Sequence, residues 1–128
     1  MEELIEIAKQ ARENAYVPYS NFKVGAALKT KQGKIYTGCN IENHGIQALC
    51  AERVAFSKAI SEGEYEFDRI VVIGGKKDTE ELIRCLPCGY CRQFMSQFVE
   101  KEFKIYTAYD NKIEEYTMEE LLPHGFEF

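Results

Sequence analysis

No run of lysine or arginine makes a basic stripe in this chain, and acidic residues outnumber basic ones, 21 against 16, for a formal net charge of -5. Neutralising the phosphates of a polynucleotide takes clustered cations, so long nucleic acid is a poor partner for such a surface. No apolar run approaches the roughly 20 residues that cross a bilayer, which argues against a membrane role. The opening Met1-Glu2-Glu3-Leu4 is acidic and lacks the basic-then-apolar layout of a signal peptide. The expected location is therefore cytoplasmic. Tryptophan is absent, which decides nothing, and there is no repeat, low-complexity tract or linker. What is present, 45% hydrophobic and 29% charged residues in 128, is a globular balance at a length that suits one domain, read as 1–128. Five cysteines, an odd number, fit a disulfide framework badly. In a reducing compartment they read better as metal ligands, a nucleophile or apolar fillers.

The order of elements follows from periodicity. Leu4, Ile5, Ala8, Ala11 and Ala15 recur at helical spacing over 2–14, and Pro18 ends that pattern. Phe22, Val24, Ala26 and Leu28 alternate like a strand over 22–30, Lys31-Gln32-Gly33 has the composition of a turn, and 34–41 is the return strand. A polar segment with Asn43, His44 and Gly45 leads to a second helix from Cys50 to Ser61, stopped by Gly63. The continuous apolar run Ile70-Val71-Val72-Ile73 predicts a strand over 69–74 buried on both faces. After a charged loop over 76–84, Pro87 opens a third helix over 88–100, and 103–109 reads as a strand. Asp110-Asn111-Lys112 is a turn, and Thr117-Met118-Glu119-Glu120 is a capping box for a short last helix. Alternating elements of this kind predict a mixed sheet covered by helices on both faces.

Two motifs carry the chemistry: Cys50-Ala51-Glu52-Arg53 and Pro87-Cys88-Gly89-Tyr90-Cys91-Arg92. The C-x-x-C spacing puts Cys88 and Cys91 on one face of the first turn of a helix. Cys50 starts the other helix, and a metal beyond both N-termini meets partial positive charge that favours thiolates. Three protein ligands leave the fourth tetrahedral position of a catalytic zinc to water, whose pKa then falls toward neutrality. Glu52, on the first turn beside Cys50, is placed to move protons there. Three thiolates on one zinc carry excess negative charge, so Arg53 and Arg92, each following a ligand, are expected to hydrogen-bond the sulfurs and drain it. Other readings stay open. Cys85-x-x-Cys88-x-x-Cys91 resembles the start of an iron–sulfur run, but position 95 is Met95 where a fourth cysteine is needed. A structural zinc site with His44 or His124 as fourth ligand leaves Glu52 unexplained. Cys39 and Cys85 read as packing residues.

The pair C-A-E and P-C-x-x-C resembles the signature of zinc-dependent cytidine deaminases. The likeness extends to Tyr16-Val17-Pro18-Tyr19-Ser20-Asn21-Phe22-Lys23-Val24-Gly25-Ala26, to Gly38-Cys39-Asn40-Ile41-Glu42-Asn43, and to Glu120-Leu121-Leu122-Pro123-His124-Gly125-Phe126, in the family's order. The resemblance implies a three-layer α/β/α sandwich with a mixed five-stranded sheet, one zinc per subunit, and a homotetramer with shared active sites. The implied reaction is hydrolysis of cytidine or deoxycytidine to uridine or deoxyuridine plus ammonia, a step of pyrimidine salvage. It implies Cys50, Cys88 and Cys91 as zinc ligands and Glu52 as the proton shuttle. Asn40 and Glu42 match residues that hold the ribose 3′-hydroxyl, Phe22 the aromatic residue packed against the base, Ala51 a substrate-binding position, and Phe126 a residue that reaches a neighbouring subunit's site.

The chain departs from that family in places. Residues 43–49 differ from the usual Ala-Ser-Tyr-Gly-rich loop and are one residue shorter, the 76–86 loop is longer, and Tyr90 replaces a small residue between two cysteines. The altered 43–49 loop motivates a second reading, a deaminase of a modified cytosine nucleoside of the blasticidin S type. A third is a zinc-stabilised domain without catalysis.

Overall fold

Leu4, Ile5 and Ala8 form the buried face of α1 (Glu2–Arg12), which shares an apolar cluster with Ala27, Val71, Ile73 and Ala108. In this computed structural model, which describes residues 1–127, α1 lies on one face of a single five-stranded sheet. The strands are β1 (Phe22–Thr30), β2 (Ile35–Cys39), β3 (Phe67–Lys76), β4 (Lys104–Tyr109) and β5 (Lys112–Thr117), in spatial order β2-β1-β3-β4-β5. All neighbours pair antiparallel except β3 and β4, which run parallel. Helices α2 (Ala51–Ser61), α3 (Gly89–Ser96) and α4 (Met118–Leu121) supply Ala55, Phe56, Met95 and Leu121 to a larger cluster on the opposite face. The result is the expected three-layer α/β/α sandwich.

β3 shows why the sheet has two dry faces. Ile70 and Val72 enter the larger cluster while Val71 and Ile73 enter the α1 cluster, as period-two alternation in a central strand requires. The strand is longer than the apolar run predicts, because pairing with β1 continues from Phe67 to Lys76. α1 ends at Arg12, two residues early. Its Arg12 is itself buried, donating to the carbonyls of Lys23, Lys76 and Thr79 and tying the loop after β3 to the helix end.

Three expectations need correction. β2 ends at Cys39, and Ile41 instead makes isolated bridges to Tyr16 and Leu49. α3 stops at Ser96 and not at 100: Ser96 Oγ donates to the Gln93 carbonyl at 2.6 Å, and Phe98 and Val99 turn onto the core. Lys112 is expected in a turn and periodicity assigns nothing over 113–116, yet Lys112–Thr117 is β5, an edge strand with no buried residue to show an alternation. The capping box is present, with Thr117 Oγ1 accepting from the Glu120 amide at 3.1 Å and Glu120 accepting from the Thr117 amide at 2.8 Å.

Candidate metal centre and nucleoside site

β2 and β3 both run antiparallel to β1, so their C-terminal ends lie at the same end of the sheet as the start of β1. The loops that leave them, 40–50 and 77–88, deliver the first residues of α2 and α3. Cys50 and Cys88 are the N-caps of these helices, both with extended backbone and neither side chain capping its own helix. Their sulfurs are thus left for other partners, at two positive helix ends. α2 sits close on β2 because position 38 is glycine. A Cβ there would overlap the Ala51 carbonyl oxygen and lie 2.8 Å from the Ala55 amide nitrogen.

The sulfurs of Cys50, Cys88 and Cys91 all lie within 4.8 Å of one another, with Cys50 and Cys88 4.0 Å apart. A tetrahedral zinc with Zn–S bonds of about 2.3 Å separates its sulfurs by about 3.8 Å. The donor set therefore fits zinc. No histidine, carboxylate or further cysteine joins the group among the described residues, so His44, His124, Cys39 and Cys85 lie outside it. That removes the four-ligand structural site and the iron–sulfur run as readings of this geometry.

Charge leads to the same place. Hydrogen bonding from Cys91, and from Arg53 and Cys88 after it, pushes the Cys50 thiol down to about 5. The Cys91 thiol, accommodating that neighbour within a buried setting, is pushed up, and the Glu52 charge adds to the effect. Several thiolates this close repel one another unless a cation sits among them. Glu52 is 4% exposed on the first turn of α2. Burial raises its carboxyl to about 7, with the Cys50 charge adding to the rise and its own amide and Arg53 opposing it. A carboxyl near 7 both accepts and returns protons near neutral pH, and a cation among the sulfurs would lower it from there.

The two arginines part company. Arg53 Nη2 lies 3.6 Å from Cys50 Sγ and donates to the Ala48 carbonyl at 3.0 Å, as expected of a group that moderates thiolate charge. Arg92 donates from Nε to Pro87 O at 2.7 Å and from Nη1 to Leu121 O at 2.9 Å. No hydrogen bond from Arg92 to sulfur occurs among the described residues, so its expected charge-draining role is corrected to a structural one. The start of α3 curls its own Pro87 carbonyl and the end of α4 toward that side chain, which fastens the two helices together.

Asn40 and Glu42 lie in the segment after β2, which leads to Cys50. Asn40 Oδ1 accepts from the Val24 amide and Nδ2 donates to the Phe22 carbonyl, each at 2.9 Å. Glu42 Oε1 accepts from the Tyr19 and Ser20 amides at 3.0 and 3.2 Å, and hydrogen bonding from Ser20 holds its carboxyl below the usual range. The Asn40 amide and one Glu42 oxygen thus anchor the 16–22 segment, leaving Glu42 Oε2 outside those bonds. The half-buried Phe22 ring and Cys85 Sγ flank Gly74. Cys85 is near enough to Glu52 and Cys50 for their charges to raise its thiol, already lifted by burial, to about 12. Ala51 is fully buried, and Phe126 is 67% exposed while its backbone pairs with Gln93. The 43–49 loop is exposed throughout, Ile46 at 98%, and is closed by reciprocal Ile41–Leu49 hydrogen bonds of 2.9 Å. A hollow of about 660 Å³ between α1 and the β4–β5 hairpin is lined by no cysteine and is unrelated to the centre.

Sequence reasoning missed two side chains. Tyr90 places its ring 4.3 Å from the Arg53 guanidinium, and the signal was an aromatic residue between two metal-ligand cysteines. Arg12 clamps the loop after β3, and its signal was a cation four residues after Ala8 on the apolar stripe of α1.

The family model described as cytidine and deoxycytidylate deaminase zinc-binding region matches residues 1–107. The cytidine deaminase of Sporosarcina psychrophila is 47% identical over 128 residues, spanning 98% of this chain and 90% of that protein. A crystal structure of cytidine deaminase from Burkholderia pseudomallei superposes with a TM-score of 0.86 at 41% identity, over 98% of both chains. The blasticidin-S deaminase of Bacillus cereus is 34% identical, over 93% of this chain and 89% of that one.

Proposed function

Since the chain belongs to the cytidine and deoxycytidylate deaminase family with its zinc-binding region, we propose that it hydrolyses cytidine and deoxycytidine to the uracil nucleosides and ammonia. The observation that carries this reading is the cluster of three cysteine sulfurs at two helix N-termini with buried Glu52 beside it. Cys50, Cys88 and Cys91 hold the zinc, one ion per subunit. When bound, zinc supplies Lewis acidity that brings the ionisation of water toward neutral pH. Glu52 takes a proton from the attacking water and passes it to N3 of the cytosine ring. The same carboxyl then takes the proton of the new C4 hydroxyl and hands it to the departing nitrogen as the C4–N4 bond breaks, so ammonia leaves and C4 becomes a carbonyl. The Glu52 position inside the protein keeps bulk water from competing for that proton.

Glu42 Oε2 and the second Asn40 Nδ2 hydrogen accept from and donate to one sugar hydroxyl, since both groups already have their other partners in the fold. A nucleoside without that hydroxyl leaves them unpaired, which gives selectivity. Phe22 packs on the base, and Ala51, with no bulk beyond Cβ, leaves room beside the zinc. The exposed Phe126 ring and Ile46 support a homotetramer in which each subunit completes its neighbour's site. Residues 1–128 act as one domain, and five free cysteines suit the cytoplasm. No described helix is long and apolar enough to cross a membrane.

The test is the ultraviolet absorbance change of cytidine with zinc-loaded protein, beside Glu52→Gln. Turnover should fall by about 100-fold or more in a variant that keeps its zinc. Equal turnover by the two proteins would remove Glu52 as proton shuttle. The second reading, a modified cytosine nucleoside, rests on the exposed 43–49 loop. A substrate panel in which a blasticidin-type nucleoside outcompetes cytidine would favour it.

A further inference from the structure

We propose that Tyr90 is a positioning residue for the zinc site, its ring holding the Arg53 guanidinium in the orientation that hydrogen-bonds Cys50. The proposal rests on the reading of Cys50, Cys88 and Cys91 as zinc ligands. Tyr90 stands between two of these ligands on the first turn of α3, and Arg53 is on the first turn of α2. The ring therefore joins the two helices whose N-termini carry the metal centre. Arg53 Cζ lies 4.3 Å from the ring centroid, within the range at which the negative face of an aromatic ring attracts a cation.

The hydrogen bond from Arg53 to Cys50 Sγ spans 3.6 Å, so it holds the guanidinium loosely by itself. The bonds to Ala48 O and Cys50 Sγ leave from the same atom, Nη2, the guanidinium also interacts with the Cys91 thiol, and Nε is buried with no hydrogen-bond partner among the described residues. The coplanar N–H groups of Nη2 aim the guanidinium at these two acceptors, while its Nε side has no hydrogen bond to hold it. The Tyr90 ring, 4.3 Å from Cζ, supplies a further contact that holds the group there. The ring also keeps water off the guanidinium, which strengthens its attraction to thiolate.

The arrangement matters because no second cation replaces Arg53. Arg92, the arginine after the other ligand, is engaged by the carbonyls of Pro87 and Leu121. Tyr90 is 67% exposed, so core packing gives no reason for an aromatic residue there. On an otherwise solvated helix turn, its use is the face it offers to Arg53.

The experiment compares zinc-loaded wild type with Tyr90→Phe, Tyr90→Leu, Arg53→Ala and the Arg53→Ala/Tyr90→Leu double variant. Zinc release to a chromogenic chelator is followed first, then the thiolate-to-metal charge-transfer band of the cobalt-substituted proteins. Tyr90→Leu should release zinc about 3- to 10-fold faster, because it keeps apolar bulk but loses the aromatic face. Its charge-transfer band should shift, and kcat for cytidine should fall with KM unchanged. Tyr90→Phe should match wild type in all three. Against Arg53→Ala, adding Tyr90→Leu should change nothing further. Wild-type zinc release and an unshifted band in Tyr90→Leu would overturn the proposal, as would an undiminished effect in the Arg53→Ala background. Release and spectrum require no substrate, so a wild type that binds zinc and fails to deaminate cytidine would count against the proposed reaction alone.

Discussion

Replacing Gly38 with alanine should disable the zinc centre from a position that contributes no ligand. Gly38 is on β2 where α2 crosses it, and an added Cβ would overlap the Ala51 carbonyl oxygen, 2.8 Å from the Ala55 nitrogen and 3.1 Å from Val54 Cβ. Two of those neighbours are backbone atoms of α2, so no rotamer change relieves the overlap. The helix must withdraw by about 1 Å, and it carries Cys50 at its cap, with Glu52 and Arg53 on its first turn. A misplacement of about 1 Å in a catalytic constellation costs on the order of 100-fold in rate. Overpacking of this kind also destabilises by about 1–3 kcal/mol. Gly25→Ala separates the two effects. Its Cβ would overlap the Ala8 carbonyl oxygen and lie 2.7 Å from the Arg12 nitrogen, displacing α1, which bears no residue of the centre. Both variants should lose thermal stability, but only Gly38→Ala should lose zinc and kcat/KM per folded molecule. Measured by circular dichroism, metal analysis and the cytidine assay, full activity in folded Gly38→Ala would refute the claim that the β2–α2 contact sets the site.

Glu114 accepts two hydrogen bonds from Arg84 and one each from Tyr109 and Tyr116, and Arg84 above all holds its carboxyl down to about 2. A depressed carboxyl stabilises the fold above its unfolded pKa and stops doing so as pH falls through the folded value. Wild type should therefore melt above Glu114→Gln at neutral pH, with the gap closing between about pH 4.5 and about pH 2; a gap independent of pH would exclude the ion pair as its source. Among the thiols, Cys50 is lowered to about 5 and Cys85 raised to about 12, so iodoacetamide at neutral pH should label Cys50 in chelator-treated protein and spare Cys85. Zinc should protect Cys50, and peptide mapping that finds Cys85 labelled first would reverse the assignment.

Much of the fold is legible in the sequence wherever burial imposes a period. Ile70–Ile73 is apolar without interruption because both faces of β3 are covered, and Leu4, Ile5 and Ala8 repeat because only one face of α1 is. Legibility fails where polar chemistry replaces burial. β5 is an edge strand held by its ladder to β4 and by the Arg84 and Lys104 ion pairs, so its sequence, Lys-Ile-Glu-Glu-Tyr-Thr, lacks an apolar rhythm. α3 fails differently. The apolar spacing of Phe94, Phe98 and Val99 continues past Ser96 because those residues remain on the core, although the backbone has left the helix.

At the site, the residues that could be read are those whose spacing is their function. Cys88 and Cys91 must share one helix turn, and Cys50 and Glu52 must share another, so a short local pattern contains them. The arginines show the limit of such reasoning. Arg53 and Arg92 have the same position relative to a ligand, but opposite surroundings: Arg53 faces the gap between the two N-termini, where Cys50 and Tyr90 lie, and Arg92 faces the end of α4. The difference arises from Leu121, twenty-nine residues after Arg92, whose position depends on the capping box that starts α4. No window around either motif contains that information. A cation adjacent to a thiolate ligand therefore tunes it only if no closer carbonyl competes, and here the carbonyls of Pro87 and Leu121 win for Arg92. One arginine is left to the sulfurs, which is why the orientation of that single side chain carries so much of the centre's charge balance.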